Sequence, residues 1–334
     1  LLLFILSVSM WSADEAERPN LLIMMSDDQS YPHASAYGSK MVSTPSFDRI
    51  ATEGVRFNKA FCPAPGCSPS RAAFLTGRQI WQIEHAGTHA SSFGKEYRTF
   101  MDLLAEAGYH TGSVGKGWSP GNWKAGGRVQ NPAGKGYGAR GKGYADGFEA
   151  FLKARPKDAP FAFWFGSSDP HRGYEKGSGR ESGKTLGQAE VPPFLPDTPE
   201  VRDDLLDYAF EVERFDRDCG KMLRLLEATG DYDDTIIIVT SDNGMPFPYA
   251  KANCTEFGIH MPLAIAWKAG AAGGRTSDAL LSFVDLTATI HEATGIKAPE
   301  AFPLAGKSLL GMLRGAEDKS YQCDAVYSLS LIHI

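Results

Sequence analysis

Strand-like apolar runs that alternate with helix-like patterns predict an α/β fold, a sheet of buried strands with helices against it. Short apolar runs recur at 20–25, 161–165 and 235–240, the last two rich in aromatic and in β-branched residues respectively. Between them lie helical patterns whose starts and stops carry recognisable capping residues. The chain has 334 residues, 43% hydrophobic and 22% charged, so it can bury a large core as one large domain or two smaller ones.

Asn20-Leu21-Leu22-Ile23-Met24-Met25 lacks polar alternation after its first residue, as a strand covered on both faces does. Thr44-Pro45 starts a helix, with Thr as N-cap and Pro at the first position. Residues 100–107 read as a helix stopped by Gly108, with a strand at 111–114 behind it. A helix at 148–154 leads to the strand Phe161-Ala162-Phe163-Trp164-Phe165. Thr198-Pro199 opens a long amphipathic helix that runs to about Ala228 and is closed by Gly230. Thr235-Ile236-Ile237-Ile238-Val239-Thr240 is the plainest central strand. Two glycine-rich stretches, 121–147 and 173–187, are expected to be long loops, which in compact domains often shape binding sites. Their aromatics, Trp123, Tyr137, Tyr144 and Tyr174, suit either a sugar face or plain loop packing.

The ends are unlike the rest. Residues 1–8 are apolar and give way to Asp14-Glu15-Ala16-Glu17-Arg18, resembling the end of a secretory leader. Residues 1–18 are therefore expected to be a partial leader and linker, and the protein secreted or periplasmic; a buried first strand is the alternative. The run is too short to span a bilayer. Residues 329–334, Leu-Ser-Leu-Ile-His-Ile, match translated sequencing-adapter DNA and are expected to be a non-native tail. A net charge of -6 gives no basic surplus, so nucleic acid is not an expected partner. Cys62, Cys67, Cys219, Cys254 and Cys323 show neither a C-x-x-C pair nor zinc spacing.

Ligands of an open parallel sheet bind beyond the carboxyl ends of its strands. Four runs place polar groups there: Asp27-Asp28, Gly115-Lys116, Asp169-Pro170-His171-Arg172 and Asp242-Asn243-Gly244. If the strands are parallel, all four face one rim. Asp27, Asp28, Asp242 and Asn243 offer only hard oxygen donors, a set for Ca²⁺ or Mg²⁺ and not for zinc. Either cluster alone would pass for a turn or cap; two at the ends of buried strands argue for a metal.

Cys67-Ser68-Pro69-Ser70-Arg71, continued by Leu75-Thr76-Gly77-Arg78, resembles the signature of the type I sulfatases. The Asp-Asp, Gly-Lys, Pro-His and Asp-Asn pairs follow in that family's order, so the resemblance covers about 19–267. Residues 168–172, 191–199 and 241–248 look most like the heparan N-sulfatase (sulfamidase) branch. The resemblance implies an alkaline-phosphatase-like sandwich, with a large, mostly parallel central sheet flanked by helices. It also implies a catalytic domain at 19–328 that is incomplete at its C-terminus, because a smaller C-terminal subdomain would lie mostly beyond it.

The same resemblance implies roles. A maturation enzyme would oxidise Cys67 to formylglycine, whose hydrated aldehyde attacks sulfur. Asp27, Asp28, Asp242 and Asn243, with residue 67, would hold Ca²⁺, or Mg²⁺. Arg71 would support the hydrated aldehyde, and Lys116 and Lys251 would hold sulfate oxygens. His171 would protonate the leaving group, and the substrate would be a sulfated carbohydrate with N-sulfoglucosamine first in line.

One departure stands out. Where the family carries a histidine base two residues after the Gly-Lys lysine, this chain has Trp118. His85, His89, His260 or water could substitute, or turnover could be impaired. Two alternatives to a sulfatase stay open: a phosphonate monoester or phosphodiester hydrolase of the same superfamily, and a non-catalytic binder of sulfated glycans. Gly117-Trp118-Ser119-Pro120-Gly121 formally matches a nucleophile elbow, but Pro120 lacks the N–H that its oxyanion hole needs. Residues 112–117 fail as a phosphate loop, since Gly117 follows the lysine where Ser or Thr belongs.

Overall fold

The computed structural model describes residues 18–138, 141, 143–316 and 321–330. Most of the expected leader (1–17) and the last residues of the expected tail (331–334) lie outside the described residues. One sheet is built from β1 (Asn20–Ser26), β2 (Val55–Phe61), β3 (His110–Gly115), β4 (Phe161–Gly166), β5 (Thr235–Ser241), β6 (His260–Ala266), β7 (Arg275–Ser277) and β8 (Leu281–Ser282). Their order is β3-β4-β1-β5-β6-β2-β7, with β8 also on β2. The helices are α1 (Pro45–Glu53), α2 (Cys67–Thr76), α3 (Phe100–Glu106), α4 (Tyr144–Ala154), the one-turn α5 (Ser178–Glu181), α6 (Pro199–Thr229), the short α7 (Glu256–Ile259), α8 (Phe283–Thr294) and α9 (Leu310–Leu313).

Strands β3, β4, β1 and β5 pair in parallel. β6 is antiparallel to β5 and to β2. Two reversals restore the original direction, so β2 runs the same way as β1. The carboxyl ends of β1 to β5 and the amino end of β6 therefore share one rim.

Alternation along β1 shows how the sheet is covered. Leu21, Ile23 and Met25 join a core with Phe74 of α2, Phe100 of α3 and Phe283 of α8. Leu22 and Met24 join a core with Phe47 of α1, Phe148 of α4 and Phe215 of α6. Both faces are buried, which is why the strand reads as a continuous apolar run. Two packed layers on one sheet make the sandwich.

Several elements depart from the sequence expectations. α4 begins at Tyr144 and not at 148, because Gly143 takes a left-handed φ of 66° and lets the chain turn into the helix earlier. The second glycine-rich stretch contains α5, one helical turn. Thr44 precedes α1 as expected, but its hydroxyl bonds Ser35, including the Ser35 backbone N–H, and Asp48, and caps no N–H of the helix. β2 and β6 were not anticipated. β6 carries Pro262 within a central strand, where a missing N–H normally argues against pairing. The proline is tolerated where the β2–β6 register shifts, between Phe57 and Ala60 on the partner.

The loop aromatics pack. Tyr144 is buried with its ring 4.9 Å from Phe165, and Tyr137 stands edge-on to Phe151 at 5.2 Å. Trp123 and Tyr174 are half-buried against two separate cores. Among the described residues, no helix is long and apolar enough to cross a membrane.

Candidate active site

β1 ends at the rim and Asp27 follows, its backbone N–H donating to the Asp169 carbonyl beyond β4 at 2.9 Å. Asp28 takes a left-handed φ of 75°, a conformation that Asp tolerates better than most side chains. Its N–H reaches the Asp242 carboxylate, after β5, at 3.0 Å. Asn243 donates its side-chain amide to Asp28 Oδ1 at 2.8 Å. Adjacent parallel strands thus deliver three carboxylates and an amide to one spot, and all four side chains are fully buried.

β2 reaches the same rim and leads, through Pro63 to Gly66, into α2. Cys67 is the first residue of that helix, and its Sγ lies 3.4 Å from Asp27 Oδ1 and 3.7 Å from Asp28 Oδ1. Arg71, one turn on, directs Nε at Asp242 Oδ2 (2.7 Å) and Nη1 at the Lys116 and Gly117 carbonyls (2.6 and 3.1 Å). The guanidinium therefore fixes Asp242 and the end of β3 through Nε and Nη1, while its Nη2 is buried without a hydrogen-bond partner. Lys116 Nζ donates to both oxygens of Asp27 (2.7 and 2.6 Å), and Lys251 Nζ to Asp28 Oδ2 (2.6 Å). Lys251 arrives on the loop that joins β5 to β6.

His171 enters from the segment after β4. Its Nδ1 is 3.0 Å from the Arg172 carbonyl, which can only accept, so Nδ1 carries the proton. Nε2 is left facing Asp28 Oδ2 at 3.9 Å. Next to it, Arg172 forms a bidentate pair with Asp204 (2.6 Å for both bonds) and lies over the Phe247 ring at 4.5 Å. Asp28, Gly66, Pro69, His89, His171, Arg172, Phe247 and Lys251 line a cavity of about 600 Å³ over this cluster. Arg172 belongs to a strand-end cluster expected at this rim, and Phe247 to a stretch singled out by resemblance, but their meeting as walls of the cavity depends on two distant loops.

The electrostatics follow from burial and pairing. Burial alone would raise the Asp242 carboxyl, but Arg71, Lys116 and Lys251 hold it well below the usual range. Asp28 goes the other way, pushed up to about 6 by burial and by Asp27, against the pull of Lys251. Burial and the three carboxylates push the Cys67 thiol well up. A protonated thiol beside carboxylates is a poor nucleophile, so the site does not activate Cys67 as a thiolate. Lys251 is raised: burial opposes its charge, and Cys67 and Asp28 outweigh that.

The donor set fits a cation. Asp27, Cys67 and Asp242 offer ligand atoms within 4.8 Å of one another. Asn243 Oδ1 is buried with no hydrogen-bond partner, an orphaned oxygen of the kind a hard cation would satisfy. The thiol is the one soft donor in the group, and an oxygen at residue 67 would match the rest.

The histidines left open by the sequence separate. His260 is sandwiched between Tyr31 (3.8 Å) and Phe61 (4.7 Å), and both its nitrogens are engaged, by Glu256 and the Asn58 carbonyl. His85 and His89 are both exposed, and of the two only His89 lines the cavity. Trp118 is fully buried, edge-on to Phe93 at 5.3 Å, and its indole N–H donates to the Ser68 carbonyl at 3.0 Å.

The chain is similar to known proteins in sequence and in fold. The family model described as Sulfatase matches residues 19–296. The human N-sulphoglucosamine sulphohydrolase is 31% identical over 344 residues, covering 88% of this chain and 66% of the relative. The N-acetylglucosamine-6-O-sulfatase of Bacteroides thetaiotaomicron is 26% identical, covering 90% of this chain and 72% of the relative. The chain thus spans about two thirds of the length of these relatives. A structure solved with its substrate D-glucosamine-2-N,6-O-disulfate superposes with a TM-score of 0.71 at 23% identity, covering 89% of this chain and 80% of the other.

Proposed function

Because this chain belongs to the sulfatase family, we propose that it hydrolyses sulfuric esters or sulfamates of a sulfated carbohydrate, with N-sulfoglucosamine as its first substrate. The observation that carries the reading is Cys67 at a helix start, 3.4 Å from Asp27, with Lys116, Lys251 and His171 converging beside it. The sulfamate preference is supported by the 31% identity to the human N-sulphoglucosamine sulphohydrolase.

Oxidation of Cys67 to formylglycine by a maturation enzyme would supply a hydrated aldehyde, an oxygen nucleophile where the raised thiol is a poor one. Ca²⁺ held by Asp27, Asp28, Asp242, Asn243 and that oxygen would supply Lewis-acid charge; Mg²⁺ is the alternative. The rest falls to side chains already in place. Lys116 and Lys251 set two cationic donors beside residue 67, where they offset charge that grows on sulfuryl oxygens in the transition state. His171 holds its proton on Nδ1 and turns Nε2 to the cavity, so in its protonated form it donates from Nε2 to the departing nitrogen or oxygen. Arg71 holds Asp242 in place. The reading includes a secreted or periplasmic enzyme, where sulfated glycans are met.

The test is sulfate release after co-expression with a formylglycine-generating enzyme, with the mass of the residue-67 peptide as the record of maturation. N-sulfoglucosamine should be turned over better than 6-O-sulfated glucosamine, an aryl sulfate or a phosphonate monoester. A preference of more than about tenfold for either O-sulfate, ~1.4 kcal/mol in the transition state, sinks the sulfamidase reading and leaves a general sulfatase. A thiol still intact at Cys67 after co-expression favours a non-catalytic glycan binder.

A further inference from the structure

Trp118 leaves the residue-67 side of the site without its histidine, and we propose that His89 fills that role as the proton acceptor that regenerates the nucleophile after each turnover. The inference rests on the sulfatase reading above. Trp118 cannot serve, because an indole only donates, and its N–H is committed to the Ser68 carbonyl. Among the described histidines, His89 and His171 alone line the cavity. His33 bonds the Tyr208 hydroxyl in the interior, His110 stacks on Phe151, His291 is buried in α8, and His260 is fully engaged.

His89 is also tied to the right element. A Cβ on Gly66, the residue before Cys67, would stand 4.0 Å from its ring carbon Cδ2. The next residue, Ala90, donates its N–H to the Ser68 hydroxyl at 3.2 Å, which pins this loop to the first turn of α2. Ala90 holds a left-handed φ of 56°, a strained conformation for alanine. His171 approaches from the β4 side of the cavity, so the two imidazoles can divide the work between leaving group and nucleophile. The cationic groups that act on His89 are Lys251, Lys116 and His171, and Asp28 shares its cavity. Its partial burial, then these cations, lower its pKa, so the ring is neutral near pH 7 and free to accept a proton.

The step balances as follows. His89 takes the proton from the free hydroxyl on the residue-67 carbon, and that O–H electron pair becomes the carbonyl π bond. The carbon–oxygen bond to sulfate breaks with its pair on oxygen, sulfate leaves, and water adds back to the carbonyl. His89 returns its proton to solvent.

The experiment uses matured wild type, His89→Asn and His85→Asn with 4-nitrophenyl sulfate in stopped flow, and mass analysis of the quenched residue-67 peptide. In His89→Asn the first equivalent of nitrophenol should appear at the wild-type rate. Later turnovers should slow by about 10²-fold or more, and the peptide should retain a sulfuryl group. His85→Asn should behave as wild type. An unchanged steady-state rate in His89→Asn, or a first turnover slowed equally with no sulfuryl retained, overturns the inference while the sulfatase reading stands. A fully matured wild type that releases no sulfate overturns both.

Discussion

Two sets of buried carboxylates in this fold are paired with cations in different ways. At the sheet rim, Asp27, Asp28 and Asp242 each meet a cation of their own: Lys116, Lys251 and Arg71. Further along, Asp169 and Glu211 share one guanidinium, Arg214, at 3.0 and 3.2 Å. A hydrogen bond from the Asp27 N–H to the Asp169 carbonyl joins the two sets. All five acids are less than a tenth exposed, so burial alone does not separate them. The number and placement of cations do. Asp242 is held well below its usual range despite burial. Asp169 is pushed to about 6 by burial, more than Arg214 can offset, and Glu211 to about 7 by burial and by Asp169. Asp28 behaves like Asp169 and not like Asp242: it has Lys251, but burial and its carboxylate neighbours still lift it to about 6. Asp242, on which Arg71, Lys116 and Lys251 all act, thus holds its charge more firmly than the acids that share Arg214.

Removing a rim cation is the strongest way to break that contrast. Arg71→Met leaves the buried Asp242 carboxylate without its direct partner, which typically costs about 3–5 kcal/mol. Urea unfolding should show that loss, and the double variant Arg71→Met with Asp242→Asn should recover much of it, because no orphaned charge remains. A single variant as stable as wild type would mean that Lys116 and Lys251 suffice for Asp242.

A smaller effect is expected from metal. Ca²⁺ or Mg²⁺ should raise the melting midpoint over EDTA-treated protein, and Zn²⁺ should not, because the set is dominated by hard oxygens. At a hundredfold excess over Kd the gain is about 2.7 kcal/mol. With Asp28 raised to about 6, protons compete with the cation, so the gain should be full above that pH and fade below it. A pH-independent gain would place the cation away from Asp28, and no gain in any metal would argue against the site.

The contrast also sorts what the sequence could disclose. The four strand-end clusters were legible because each is a local event, an apolar run that stops at a polar pair. Their shared rim follows once the strands are parallel. Cys67 at a helix start was legible from Pro69 and the residues after it, whereas Lys251 stood out only through family resemblance, as it sits on an irregular loop. β6 was hidden by Pro262 and β2 by its interleaved Arg56, Asn58 and Lys59. The Asp169–Arg214–Glu211 set was invisible. Its members are ordinary residues of a turn and of α6, brought together only by tertiary packing. The choice among His85, His89 and His260 was undecidable for the same reason.

The smallest predicted effect sharpens the comparison most, because it reads the second set directly. A carboxyl whose folded pKa lies above its ordinary value binds protons more tightly in the folded state. Its burden on stability is absent below the ordinary value of 4.5, grows as pH rises, and levels off above about 7 for Glu211. Glu211→Gln removes that burden and leaves Arg214 wholly to Asp169. The variant should match wild type near pH 4 and exceed it at pH 8 by at least about 1.4 kcal/mol, the worth of one pH unit, since the rise from 4.5 to about 7 is larger than that. In a thermal scan this is a rise of a few degrees at pH 8 alone. A Gln variant that is less stable at pH 8 would mean that Arg214 stabilises the Glu211 carboxylate in full. The second set would then be built like the rim, and the shared guanidinium would not be what divides them.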